Sequence, residues 1–205
     1  MGQVLLGALA FALAFAFDWV SWLRIQYLKP VLGVASGATF LAALAWTLAT
    51  PGRYDWPAWT GYVGWPLLLV FAALLIYSLL VEIPFAATYA RQGVSDILVT
   101  TGTYALVRHP GVIWFGAAVL GCILISRGRL MLVAGATWFC LDVAYAWLQE
   151  RLLFPRMFAG YGAYQKTTPM LIPSWRSLVS CWRTLRSPHR PPQPIAPGTD
   201  AAGPI

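Results

Sequence analysis

The chain has 205 residues, of which 59% are hydrophobic and 10% are charged, with a mean hydropathy of +0.66 and a formal net charge of +7. Because a soluble domain carries roughly 25% charged residues, this composition excludes a soluble globular protein and indicates an integral membrane protein. The basic excess lies mostly near the C-terminus without a basic stripe of interleaved aromatics, so it predicts membrane topology and contact with anionic membrane lipids, not nucleic-acid binding.

The first 84 residues are predicted to form three transmembrane helices, from apolar runs at 2–17, 31–49 and 65–83. The first run lacks the basic start and the cleavage site of a secretory signal peptide. Residues 18–30 have the mixture of tryptophan and basic residues that is typical of a connection at the membrane interface. Gly33 and Gly37 are spaced either as a helix-packing face or as ordinary glycine usage in a membrane helix.

Residues 85–175 are predicted to form the cofactor-binding catalytic region. A mixed loop at 85–107 precedes two apolar runs, 112–126 and 130–148, which are joined only by Arg127, Gly128 and Arg129. Such a short link predicts an antiparallel helical hairpin. After Leu148, apolar residues recur at helical spacing, which indicates an amphipathic or partly membrane-associated continuation. Residues 176–205 are basic and, toward the end, rich in proline, which predicts a disordered tail.

These elements predict an all-α membrane protein with about five transmembrane helices. With five crossings, the loop after the first helix, the loop before Pro110 and the C-terminal region share one face, which carries nearly all the basic residues. Only Arg53, Arg127 and Arg129 fall on the other face. The positive-inside rule then predicts a cytoplasmic site and C-terminus, with the N-terminus outside.

Arg108, His109 and Pro110 stand directly before an apolar run, and Asp142 lies within the last one. A guanidinium costs roughly 2.5–3.5 kcal/mol at the centre of a membrane helix on insertion scales, so polar groups at a membrane boundary usually have a partner or a ligand. Asp142 is by the same argument a functional candidate, or else a hydrogen-bond partner of Tyr145 or of a neighbouring helix.

Metal and soluble-type nucleotide sites are not expected. The cysteines Cys122, Cys140 and Cys181 form no CxxC pair, and the chain has only His109 and His189 as imidazoles. This set does not fit a disulfide framework, a zinc site or a histidine-rich di-iron centre. Neither GxGxxG nor GxxxxGK[ST] occurs.

The order and spacing of several residues around the hairpin resemble the isoprenylcysteine carboxyl methyltransferase and phospholipid methyltransferase superfamily. The similarity covers roughly residues 96–173. It is carried by Leu98, Val99, Gly102, Tyr104, Arg108, His109 and Pro110 before the hairpin, and by Glu150, Leu153, Tyr161, Tyr164, Pro169 and Pro173 after it.

The resemblance implies a membrane methyltransferase that uses S-adenosylmethionine and a lipophilic acceptor from the bilayer, with a carboxylate, amine or thiol as the methylated group. Arg108 and Glu150 are the implied catalytic residues. The cofactor carboxylate suits Arg108 or His109, and its ammonium and ribose hydroxyls suit Glu150. The other implied cofactor contacts are Leu98, Val99, Gly102, Tyr104, Pro110, Tyr161 and Tyr164.

The chain departs from the family pattern at Asp96, where relatives often have histidine, and just after Pro110. Val112 and the bulky Trp114 stand where an aromatic and then a small residue are common, so we expect them, with Asp142, to shape the acceptor pocket.

Other interpretations stay open. Arg108 and His109 could cap the loop and bind lipid phosphate, Glu150 could pair with a nearby basic residue, and Tyr161 and Tyr164 could be interfacial aromatics. The whole chain could also be an NADPH-dependent sterol-type reductase or a non-catalytic accessory protein on the same scaffold.

Overall fold

The computed structural model describes residues 1–23, 25, 27–83 and 98–186. Within these ranges the fold is helical and no β-strand is present. Residues 84–97 and 187–205 lie outside the described residues, and with them Asp96 and the proline-rich end of the predicted tail. The helices are α1 (Gly2–Trp22), α2 (Leu28–Ala49), α3 (Trp59–Ile76), α4 (Pro110–Ser126), α5 (Arg129–Leu148), α6 (Phe154–Met157), α7 (Tyr161–Thr167) and α8 (Trp175–Arg186).

Four helical stretches are long and apolar enough to cross a membrane: Gly2–Trp22, Leu28–Ala49, Trp59–Glu82 and Arg129–Met157. The third and fourth include π-helical turns at Tyr77–Glu82 and Gln149–Leu153, which continue α3 and α5. α4 is also apolar but has 17 residues, about 26 Å of helix against a hydrocarbon core of about 30 Å. The expectation of a multi-pass helical membrane protein is therefore confirmed, while the count of five spans stays a prediction.

The helices pack as two antiparallel pairs, α1 with α2 and α3 with α4, and α5 contacts both pairs. The α3 and α4 backbones approach closely because glycines face each other, with a Cβ on Gly64 falling 2.9 Å from the Gly121 carbonyl oxygen. On the other side, Trp138 of α5 is fully buried and donates its indole N–H to the Val4 carbonyl of α1 at 3.2 Å. A Cβ on Gly7 would collide with that indole, so small residues of α1 and α3 determine how tightly the bundle closes.

The two loops predicted to share the less basic face lie together at one end of the bundle. Arg127 ends α4 in the left-handed region, with φ of 53°. Its guanidinium donates to the Trp56 carbonyl at 2.9 Å, and its own carbonyl accepts the Tyr54 N–H at 2.8 Å. The Arg108 motif and the segment after α5 meet at the other end.

Two predicted features are wrong in detail, and one alternative that the sequence left open is answered for Gly37. α1 continues to Trp22, so residues 18–22 are helix instead of connection, and Asp18 is bonded to Tyr145 of α5 and to Gln149 just after it. A Cβ on Gly37 would meet no atom of the described residues within 4 Å, so Gly37 does not form a close packing face with them. Residues 176–186 are helical in α8, because apolar residues recur there at helical spacing before the prolines begin.

The contact between α3 and α4 can be tested with two glycines of the same helix. Gly64→Ala places a methyl group 2.8 Å from the Ile125 side chain and 2.9 Å from the Gly121 carbonyl, so the free energy of unfolding should fall by about 2 kcal/mol, as overpacking does. Gly61→Ala is the control, since its methyl group meets nothing within 4 Å in the described part of the chain. Denaturant unfolding in mixed micelles measures both, and equal stability of the two variants would contradict the close contact.

Candidate functional site

The motif segment begins with a glycine held against a buried carboxylate. Gly102 has φ of 63°, and a Cβ there would lie 1.9 Å from Glu82 Oε1, so the position requires glycine both for its conformation and for space. Glu82, at the end of the π-helical turn, accepts the Thr103 N–H at 2.8 Å and also bonds the Thr103 hydroxyl. Gly102 was predicted to let the backbone approach a cofactor, whereas its close neighbour here is Glu82.

Arg108 and His109 are positioned by the start of α4 and by the segment before α8. Pro110 occupies the first turn of α4, where its missing N–H is not needed. The Arg108 and His109 backbone N–H groups donate to the carbonyls of Pro169 and Met170 at 2.9 and 3.2 Å. The motif and the C-terminal segment are therefore joined by main-chain hydrogen bonds as well as by side chains.

The Glu150 carboxylate is the centre of the polar network. Its Oε1 accepts from Arg108 Nε at 2.7 Å and from the Tyr161 hydroxyl at 2.6 Å, and lies 3.1 Å from His109 Nε2. Its Oε2 accepts from Arg108 Nη2 at 2.9 Å and from Gln165 Nε2 at 2.8 Å. The predicted residues Arg108, His109, Glu150 and Tyr161 are thus brought together, in a forked ion pair with three further contacts.

The charge states follow from these partners. Burial disfavours the guanidinium charge, but the hydrogen bond and charge of Glu150 outweigh it and hold the pKa of Arg108 above its ordinary value. Burial and the hydrogen bond to Glu150 raise the pKa of Tyr161 far above its usual range, and burial raises that of Tyr164. Both phenols are therefore neutral donors at physiological pH, Tyr161 to Glu150 and Tyr164 to the Tyr104 carbonyl at 2.5 Å.

A cavity of about 510 Å³ lies on the other side of this network. Arg108, His109 and Tyr104 form one wall with the predicted substrate residue Val112. The rest is lined by residues of α1 to α6, including the π-helical turns after α3 and α5. The polar and aromatic ones are Phe17, Asp18, Ser21, Lys29, Ser36, Phe115, Asp142, Tyr145, Gln149, Phe154 and Phe158. Within the described part of the chain, Glu150, Tyr161 and Tyr164 stand behind the wall and do not line the cavity.

The cavity lining also contains two carboxylates, Asp18 and Asp142. Asp18 is buried; one of its oxygens accepts from Gln149 Nε2 at 2.6 Å and also bonds the Tyr145 hydroxyl. Asp142 lies two turns before Gln149 on α5 and also lines the cavity. Tyr145 bonds Asp18 and the Ala14 carbonyl of α1, and both interpretations of Asp142 stay predictions.

Other predicted site residues are not at the cavity. The cavity lining does not include Leu98, Val99 or Gly102. Pro110 is also absent from it and begins α4. Trp114 turns toward α3, where it stacks on Phe71 with ring centroids 5.8 Å apart. Its indole N–H is buried and, among the described residues, has no hydrogen-bond partner.

Several lining or network residues were not foreseen. Asp18 and Lys29 were assigned to an interfacial connection, although a buried ionisable residue next to an apolar run is itself a functional signal. Gln149 and Gln165 carry no such signal, because an amide beside a membrane helix is compatible with many roles. The N-terminal helices were expected to add only spans, yet α1 and α2 line the cavity.

Among the described residues, no three His, Cys, Asp or Glu side chains come together as metal ligands. No protein family, curated protein or solved structure matches this chain. The superfamily resemblance therefore stays a prediction that is based on the motif and its spacing.

The Glu150 network predicts a large stability effect for a small change. Glu150→Gln keeps the shape of the side chain but leaves the Arg108 charge, with a side chain only 11% exposed, without its counter-ion. The free energy of unfolding should fall by about 3 kcal/mol, as when one partner of a buried pair is removed. Arg151→Gln is the control, because Arg151 is the next residue in the chain and is exposed. If denaturant unfolding gives the same stability for both variants, the ion pair does not hold the site together.

Proposed function

We propose that this protein is an integral membrane methyltransferase that moves a methyl group from S-adenosylmethionine to a lipophilic or membrane-associated acceptor. The observation that carries the proposal is the cavity of about 510 Å³, whose lining contains a fixed guanidinium and two carboxylates. The motif that resembles the methyltransferase superfamily contributes Arg108 and His109 to this lining.

The residues present fit the cofactor. S-adenosylmethionine combines a carboxylate, an ammonium and a sulfonium with an adenine ring, and the cavity offers groups of both charges. Arg108 and His109 would hold the carboxylate, and Asp18 and Asp142 would favour the cationic groups. Phe154, Phe158 and Tyr104 supply aromatic surface, and the volume falls within the range of roughly 300–1,000 Å³ that is typical of small-molecule sites.

The two residues predicted to be catalytic have different tasks in this proposal. Arg108 lines the cavity and orients an anionic group there, whereas Glu150 is a positioning residue, because its oxygens already accept four hydrogen bonds and contact His109. A carboxylate saturated in this way is a poor base. His109 or Asp142 is better placed to take a proton from an amine or thiol acceptor; a carboxylate acceptor needs none.

When bound, the cofactor supplies an electrophilic methyl group, and no covalent enzyme intermediate or metal is needed. The contribution of the chain is alignment and exclusion of water, and alignment can contribute up to about 7–11 kcal/mol in well-oriented model reactions. Apolar lining residues such as Leu75, Leu79, Phe115 and Val112 keep water from the reacting groups.

The membrane arrangement belongs to the same proposal. Five spans with α4 as a short fourth one put the Arg108 motif and Glu150 on the face with most basic residues, which is cytoplasmic by the positive-inside rule. The cofactor then enters from the cytoplasm and the acceptor, with a carboxylate, amine or thiol, from the bilayer. The shortness of α4 brings its first turn, and with it the motif, toward the hydrocarbon boundary.

Binding measurements test the proposal against its rivals. Purified protein in detergent should bind S-adenosylhomocysteine with a micromolar dissociation constant, about −8 kcal/mol, and should not bind NADPH. Arg108→Gln should weaken binding at least roughly tenfold, since it removes a charged hydrogen bond. Arg156→Gln, an exposed arginine of α6, should leave binding unchanged. Binding of NADPH alone would support a sterol-type reductase, and binding of neither ligand would support an accessory protein.

Asp142 gives a separate prediction. Asp142→Asn keeps the size of the side chain and removes its charge, so S-adenosylhomocysteine, which has an ammonium but no sulfonium, should lose less affinity than S-adenosylmethionine. We expect a loss of roughly tenfold for S-adenosylmethionine, on the scale of one charge-assisted contact. Calorimetric titration of both ligands measures the difference. Equal losses would mean that Asp142 does not face the sulfonium.

A further inference from the structure

α8 presents three different faces. Small polar residues, Ser177, Cys181 and Thr184, lie on one side at helical spacing, and Ser177 is buried. A second side carries four large apolar residues that are exposed to different degrees: Trp175 at 79%, Leu178 at 45%, Trp182 at 59% and Leu185 at 49%. Arg176, Arg183 and Arg186 follow along the edge of this apolar face. Such a helix is typical of one that lies in a membrane interface.

The small polar face is packed against the motif. The Gly102 N–H donates to the Thr184 hydroxyl oxygen at 3.0 Å, and α8 packs along the short 3₁₀ helix Gly102–Ala105. The segment just before α8 supplies the Pro169 and Met170 carbonyls that bond Arg108 and His109. The motif segment is therefore held by the C-terminal region at its beginning and at its end.

The stretch of sequence that leads to and includes α8 carries charge of one sign. Residues 151–186 contain six basic residues, Arg151, Arg156, Lys166, Arg176, Arg183 and Arg186, and no aspartate or glutamate. The Arg186 guanidinium lies 4.2 Å from the centre of the Trp182 ring, so charge and aromatic surface are adjacent at the helix end. This pairing complements a layer of anionic headgroups above an apolar phase, because each basic side chain near such a layer adds to the attraction.

We propose that α8 docks its exposed apolar face into the headgroup layer of the membrane that holds the spans, where anionic lipids pair with Arg176 and Arg186. Because the opposite face of α8 holds Gly102 and the preceding segment holds Arg108 and His109, docking also keeps the motif segment in place. Anionic lipid is thus a structural partner of the site. The inference concerns α8 and the motif backbone and is independent of which ligand the cavity binds.

Hydrogen–deuterium exchange of the full chain tests this without any ligand. The protein is placed in nanodiscs of phosphatidylcholine alone, or of phosphatidylcholine and phosphatidylglycerol in equal parts. Amides of residues 175–186 and 102–109 should exchange roughly tenfold or more slowly with the anionic lipid, since each nearby basic side chain strengthens attachment by about fivefold. Amides of α5 should not respond.

Two double variants make the test specific. Arg176→Gln with Arg186→Gln should abolish the lipid dependence in both segments. Arg53→Gln with Arg129→Gln is the matched control at the other end of the bundle, since it also removes one exposed arginine and one that lies over an aromatic ring, Tyr54 at 5.5 Å, and it should keep the dependence. Circular dichroism checks that all forms are folded.

Three results would overturn the proposal. Equal exchange in the two lipids would mean that α8 does not use anionic headgroups. Protection that follows the number of protein copies per disc would mean that a second copy covers the apolar face. A response of residues 175–186 without one of residues 102–109 would mean that docking does not support the motif.

Discussion

The interaction on which the site depends is the fork between Arg108 and Glu150. Removing both charges from water is costly, and their attraction offsets the cost only when the remaining lone pairs and protons also have partners. Tyr161 and Gln165 donate the further hydrogen bonds that the Glu150 carboxylate accepts. Arg108 Nη1 donates to the Gln165 carbonyl at 3.2 Å and to the Thr168 carbonyl. The pair thus requires the motif, the end of α5 and α7 to come together in one arrangement, because any other leaves a charge unpaired.

In this arrangement, one set of residues holds Arg108 in position and another set lines the cavity. Glu150, Tyr161 and Gln165 use their polar groups on each other and on Arg108, whereas Arg108, His109 and Tyr104 also reach the cavity wall. His109 stacks on Phe154 with ring centroids 5.6 Å apart, so its imidazole is fixed by a ring as well as by the carboxylate. A ligand of this cavity would meet side chains whose positions are already determined, which would lower the entropy that binding must overcome.

The sequence predicts the polar centre better than it predicts the cavity. Arg108 and His109 are recognisable because polar groups beside an apolar run need partners, whereas Glu150 and Tyr161 were predicted from the resemblance. The helical state of residues 18–22 and of residues 176–186 is harder to predict, because each depends on a contact between residues distant in sequence. These contacts are Asp18 with Gln149 and Gly102 with Thr184. Helical periodicity shows which residues share a face but not which helix that face meets, and for this reason Trp114 was expected at the cavity although it stacks on Phe71.

The end of α5 contacts both Asp18 and Arg108, which line the cavity. Asp142, Tyr145 and Gln149 follow one another along the face that lines it, and Gln149 bonds Asp18 of α1. The next residue, Glu150, has to face the motif instead, and the π-helical turn Gln149–Leu153 begins at this point. Such turns change the direction of successive side chains inside a helix and occur frequently at functional sites. The adjacent residues Gln149 and Glu150 therefore bond Asp18 and Arg108, respectively. Any shift of α5 would move both of these contacts together.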